Sequence, residues 1–159
     1  ALQFRAAPWL TDWLRQRAGL VFNDDGSTLQ GLAGWARTGD LAALFASGVA
    51  GDALGKIVAA MTFLEGHADH TADTAGRPWI ATVPALRRAF TRPTRASRLG
   101  RFSRAFDKEA QYRDGLAFCR RVTSYRGTNA LRAAFATPTN LPTATEIADP
   151  RAWVKRVHG

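Results

Sequence analysis

Glu65, His67, Asp69, His70 and Asp73 are the residues of this sequence whose types and spacing best suit acid–base or metal chemistry. On a helix at about 100° per residue, Glu65, Asp69 and Asp73 fall within an arc of roughly 80°, one turn above another. His70 lies at the edge of that arc, and His67 points nearly the opposite way. Three carboxylates so close repel one another unless a positive group faces them, either an arginine cluster or a metal ion. A solvated acidic face paired with some of the many arginines explains the same pattern. His67 and His70, three residues apart, make a ligand pair with no third partner.

A helix must carry these residues. From Gly55 to about Thr74 the sequence has its longest clean helical pattern, in which Ile57, Val58, Met61, Phe63 and Leu64 lead into the acidic and histidine segment. Gly76-Arg77-Pro78 stops it. Ala1–Arg5 reads as the tail of a helix with no N-cap before it, so the polypeptide is expected to extend upstream; removal of an initiator Met ahead of Ala1 is the alternative. Pro8 opens the next helix, with Trp9, Leu10, Trp13 and Leu14 as a core-facing stripe, and the turn from Asn23 to Ser27 ends it. Asp24 and Asp25 are turn residues, since no acidic ligands follow to complete a calcium loop. Asp40 is expected to cap a helix over Leu41–Ala46 that Gly48 and Gly51 close.

Pro84 to Phe90 reads as a short helix and Ile80–Val83 as a weak strand candidate. A second long helix is expected from about Arg101 to Tyr125, with Phe102, Phe106, Ala110, Leu116, Phe118 and Val122 on its apolar side. Gly127–Phe135 is a further short helix, and Thr137 to Pro142 a loop. Thr143 and Glu146 have capping-box spacing, and Asp149-Pro150 forms an N-cap and N1 pair for a last helix through Val157. His158, next to the C-terminus, is expected to be disordered or at the surface. The expected fold class is therefore mainly α, with residues 1–159 forming one helical domain.

Bulk properties narrow the classes. The 46% hydrophobic content and five tryptophans describe a globular chain and argue against disorder. The most apolar run, Ile57–Leu64, is too short to span a bilayer, so no membrane partner is expected. Cys119 alone excludes an internal disulfide framework and reads as a small buried hydrophobe, which suits a cytoplasmic, reducing location. Against 13 Asp and Glu stand 22 Lys and Arg, for a formal charge of +9. The basic run contains Arg95, Arg98 and Arg101, interleaved with Phe90 and Phe102. Such a run either grips nucleic acid or another anionic partner, or forms a solvated face. Tyr112 either donates its hydroxyl to a transition-state oxyanion or packs in the core.

The segment Leu64-Glu65-Gly66-His67-Ala68-Asp69-His70-Thr71-Ala72-Asp73 with Gly76 resembles the signature of an actinobacterial zincin-like metallopeptidase family associated with deazaflavin-coenzyme biosynthesis. Three further stretches fit that pattern. They are Gln3-Phe4 through Pro8-Trp9-Leu10; Ala110 to Gly115 with Phe118; and Leu141 to Pro150 with Trp153-Val154. The resemblance implies a gluzincin-type helical fold, zinc as cofactor, and hydrolysis of a peptide. It makes Glu65 the third zinc ligand and Asp69 the acidic residue that orients a histidine ligand. Such a carboxylate completes three protein ligands and leaves a position for water.

His-Glu-x-x-His, which would supply the other two ligands and the general base, does not occur in this sequence. In relatives it immediately precedes the stretch matching Ala1–Phe4. The resemblance therefore implies that this chain is the C-terminal portion of a zincin-like domain, with its own upstream segment as partner. A catalytically silent relative, or a basic module that binds nucleic acid or an acidic protein, are the alternatives.

Overall fold

The structure, a computed structural model, describes residues 2–22, 48–76 and 108–159, with side chains over 3–21, 51–76 and 113–159. Among these residues every regular element is helical, as the sequence led us to expect. Helix α1 (Leu2–Ala6) stops at Ala7 because the residue before a proline is pushed out of the helical region. Pro8 leads into α2 (Trp9–Phe22), which buries Leu10 and Trp13. Long helices α3 (Gly48–Gly76) and α4 (Lys108–Arg126) follow. Next come 3₁₀ helices Thr128–Phe135 and Pro138–Asn140, then α5 (Ala144–Ala148) and α6 (Pro150–His158). The predicted elements at Leu41–Ala46, Ile80–Val83 and Pro84–Phe90, and the start of the helix expected from Arg101, lie outside the described residues.

Three expectations need correcting. Helix α3 begins at Gly48, so Gly48 opens this helix and Gly51 lies inside it, and neither closes an earlier one. Each interior glycine costs roughly 1 kcal/mol. The apolar stripe of α3 buries Ala53, Ala59, Ala60, Phe63 and Leu64, and each of the two largest contributes roughly 1.5–3 kcal/mol. Packing outweighs propensity. The 137–142 loop holds a single 3₁₀ turn at Pro138–Asn140. His158 is half-buried, its ring edge-on to Trp153 at 5.4 Å.

Helix α3 packs most extensively against α4, then against α2. The α3–α4 contact is backbone on backbone at Gly66 and Gly115. A Cβ on Gly66 would fall inside the Gly115–Leu116 peptide, and one on Gly115 inside the Thr62 carbonyl. An aromatic chain then fills the core: Phe135 to Phe63 at 5.4 Å, Phe63 to Phe118 at 6.0 Å, and Phe118 to Trp153 at 5.5 Å. Cys119 is fully buried among these residues, and burial pushes its thiol up to about 12.

The C-terminal segment is tied by polar bonds. Thr143 and Glu146 form the predicted capping box, and the Asp149 side chain accepts from the Arg151 amide at the start of α6. Arg156 grips both oxygens of Glu146, Nε to Oε1 at 2.6 Å and Nη2 to Oε2 at 2.9 Å, and also donates to the carbonyls of Thr139 and Leu141. Trp153 Nε1 donates to Asn140 O at 2.8 Å, and Asn140 Nδ2 to Ala133 O at 2.8 Å. Burial alone would raise the Glu146 carboxyl. The Arg156 bonds, the Thr143 amide and hydroxyl, and the nearby positive charge overcome it and hold the group below 4.5.

Candidate functional site

Helix α3 carries all five polar residues singled out in the sequence, and its neighbours sort them into separate environments. Asp73 is buried, and Arg120 of α4 donates from Nη2 to its Oδ2 at 3.0 Å. Here the positive group opposite the acidic face is an arginine. Glu65, two turns earlier in the stack, is half-buried and has no hydrogen bond or ion pair among the described residues. Asp69 lies between them, also half-buried.

The Glu65 turn is fixed from two sides. Gly66, the next residue, is the point where α3 touches the α4 backbone. From α1, Gln3 Nε2 donates to Leu64 O at 2.7 Å and lies 3.3 Å from His67 Nδ1. The first helical turn of the chain is thereby anchored against the residue preceding Glu65.

His67 faces away from the carboxylate stack, and His70 lies beside its edge, toward α4. The His67 ring is edge-on to Phe135 at 4.9 Å and lies 5.7 Å from Phe63. Burial, helped by the proximity of His70, pulls its pKa below 6.5, which leaves it neutral at pH 7. His70 Nε2 is 3.0 Å from Thr123 Oγ1 on α4. Both rings open on a cleft of about 480 Å³ between α1, the C-terminal half of α3 and the 3₁₀ helix Thr128–Phe135. Glu65, Asp69 and Asp73 do not line it.

Among the described residues no three His, Cys, Asp or Glu side chains converge as a metal-ligand set. One half-buried carboxylate without a partner, Glu65, has the chemistry of a ligand, so this region offers one donor and not a complete set. The Tyr112 side chain and the arginines Arg95, Arg98 and Arg101 lie outside the described residues. Tyr112 itself falls on α4.

Sequence reasoning did not find Arg120, Gln3, Asn129 or Arg132 as neighbours of these residues. Asp73 and Arg120 are 47 positions apart, and Gln3 and Leu64 are 61 apart, separations at which no local periodicity speaks. Gly66 did give a signal, because a glycine inside an otherwise clean helical pattern marks a packing or functional reason.

Comparison with known proteins gives the family and says nothing of individual site residues. A search of curated proteins and a search of solved structures each return no match. A family model, described as zincin-like metallopeptidase, matches residues 1–154. With nearly the whole chain covered, this protein belongs to the zincin-like metallopeptidase family.

Proposed function

We propose that Glu65 is the carboxylate ligand of a zinc-dependent peptidase centre and that Asp69, one turn on, orients a histidine ligand. The two histidines and the general base come from a His-Glu-x-x-His segment outside residues 1–159, in the same polypeptide, and the substrate is a peptide. Zinc held in this way supplies a Lewis acid that lowers the pKa of a bound water toward neutrality. One observation carries the reading: Glu65 is half-buried and has no partner among the described residues, although the chain holds 22 Lys and Arg against 13 Asp and Glu. A structural carboxylate in so basic a protein would be expected to find a cation, as Asp73 does.

This chain's own contribution is positional. The glycine crossing sets where the Glu65 turn lies, and Gln3 holds α1 against that turn. Asp69 fits the role of a carboxylate that fixes an imidazole tautomer. The narrower resemblance, to an actinobacterial branch associated with deazaflavin-coenzyme biosynthesis, belongs to the same proposal. So does a cytoplasmic location; no helix among the described residues is long and apolar enough to cross a membrane.

Metal analysis of the full-length protein tests this. Stoichiometric zinc is expected in the wild type and in Asp73→Asn, and its loss in Glu65→Gln. Asp69→Asn should weaken zinc binding by about 10–100-fold. Unchanged zinc in Glu65→Gln would remove Glu65 from the centre.

A further inference from the structure

The cleft beside His67 and His70 is separate from the Glu65 face of α3. Residues 65 and 67 point about 200° apart around a helix, and Glu65 is not among the lining side chains. Among the described residues the lining carries several donors and no carboxylate. Arg132 stands on it, exposed and without an ion pair among the described residues. Asn129 brings a side-chain amide, and Thr71 and Thr128 bring hydroxyls, whereas the Gln3 amide and the Thr74 hydroxyl already donate to Leu64 O and His70 O. The 3₁₀ helix Thr128–Phe135 opens at this edge, and its N-cap, Gly127, has no side chain to cap the first amides. Leu131 and Phe135, on the same 3₁₀ helix as Arg132, supply the apolar part of the lining.

We propose that this cleft binds an organic carboxylate bearing an apolar group, with Arg132 taking the carboxylate and the Leu131–Phe135 wall taking the apolar part. Arginine matches a carboxylate with two parallel N–H donors, and nothing on the lining competes for it. A single arginine balances a monoanion better than a phosphate dianion, and the apolar wall gives a phosphate nothing to contact. A volume of about 480 Å³ lies inside the roughly 300–1,000 Å³ of small-ligand sites. The carboxylate is that of a small free acid or of a peptide C-terminus. The site does not depend on the zinc reading, because no residue of the Glu65 face takes part.

Isothermal titration of the full-length protein decides it, with N-acetyl-leucine, N-acetyl-leucinamide, Ala-Ala-Leu with free or amidated C-terminus, and inorganic phosphate as probes. A free carboxylate should bind at least about tenfold tighter than its amide, and Arg132→Gln should remove that preference while leaving the circular dichroism unchanged. Tighter binding of the free tripeptide would assign a peptide C-terminus, and tighter binding of N-acetyl-leucine a small acid. Equal affinity for acid and amide, phosphate binding as tightly as the acid, or an Arg132→Gln variant that binds like wild type would each overturn the proposal. Chelator-treated protein and Glu65→Gln should still bind the acid. If binding disappears with the zinc, the carboxylate sits on the metal and the cleft assignment falls while the zinc reading stands. Acid binding in a protein that never holds zinc would leave the cleft assignment standing and sink the zinc reading.

Discussion

Glu65 and Glu146 lie in two regions that treat a carboxylate in opposite ways. Around Glu146, in the segment from the Pro138 turn to α6, each carboxylate oxygen has a partner. Arg156 holds both, while the Thr143 amide and hydroxyl add to one. Around Glu65, at the α3–α4 crossing, the backbones of Gly66 and Gly115 meet, α1 docks through Gln3, and the carboxylate itself has no partner among the described residues. In the first region the charge is part of what holds the structure. In the second, the structure holds the charge, and the stabilising contacts are made by neighbours that carry no charge. The proposed role of Glu65 as a ligand predicts this pattern, a local rule broken at one position and compensated nearby.

By that contrast, the glycine crossing is where substitution does most harm. Gly66→Ala places a methyl inside the Gly115–Leu116 peptide, and neither helix backbone can yield without moving the other. Overpacking usually costs about 1–3 kcal/mol. A backbone-to-backbone clash belongs at or beyond the upper end, so about 3 kcal/mol or more is expected in urea unfolding. Gly55, on the same helix, has nothing within 4 Å of its missing Cβ. Gly55→Ala should therefore stabilise by up to about 1 kcal/mol, the helix propensity difference alone. Opposite signs for one substitution in one helix would locate the constraint at the crossing; equal effects would show that the close approach does not matter.

Arg156→Met should have the next largest effect. It strips both oxygens of buried Glu146 of their cation and frees the carbonyls of Thr139 and Leu141. Hydrogen bonds to charged groups are worth about 1.5–3 kcal/mol. Arg156 is 38% exposed, so solvent screening brings the expected loss to about 2 kcal/mol. The pH dependence has a definite sign. Because the folded-state pKa of Glu146 is depressed, its contribution is complete above its ordinary 4.5 and is lost as pH falls through the folded value. Wild type and Arg156→Met should differ most above about pH 5, and in acid the difference should shrink to what the bonds to the Thr139 and Leu141 carbonyls contribute. A constant difference down to low pH would mean that the charge of Glu146 has no part in this region.

The two regions also differed in how much of them the sequence disclosed. The Thr143–Glu146 box and the Asp149-Pro150 start were readable because both ends of each interaction lie within one helical turn, where residue type and spacing are the whole signal. The family motif picked out Glu65 and Asp69, and helical periodicity placed them on one face. What periodicity lacked was the partner. Arg120, Arg132 and Gln3 come from elements far along the chain, and a surplus of arginines makes it impossible to tell from composition which one faces Asp73. The early start of α3 was hidden for a related reason. Gly48 and Gly51 carry a stop signal, and the burial of Ala53 and the residues beyond it, which overrides that signal, depends on α2 and α4.

The smallest expected effect separates the two kinds of carboxylate most sharply. In metal-free protein, Glu65→Gln removes a charge that makes no bond among the described residues, and it relieves the desolvation of a half-buried carboxylate. Unfolding free energy should stay within about 0.5 kcal/mol of wild type, as for substitutions that break no named interaction. Asp73→Asn, on the same face two turns later, replaces a charge-assisted bond to Arg120 by a neutral one. It should cost about 1 kcal/mol, kept low because Arg120 is 49% exposed. Adding zinc to the full-length protein should then stabilise wild type and Asp73→Asn but not Glu65→Gln, since a ligand that binds only the folded state raises stability by mass action. The two carboxylates would thus exchange rank, Asp73 mattering more without metal and Glu65 more with it. If Glu65→Gln instead destabilised the metal-free protein as much as Asp73→Asn does, Glu65 would be a structural charge like Glu146, and the distinction between the two regions would be lost.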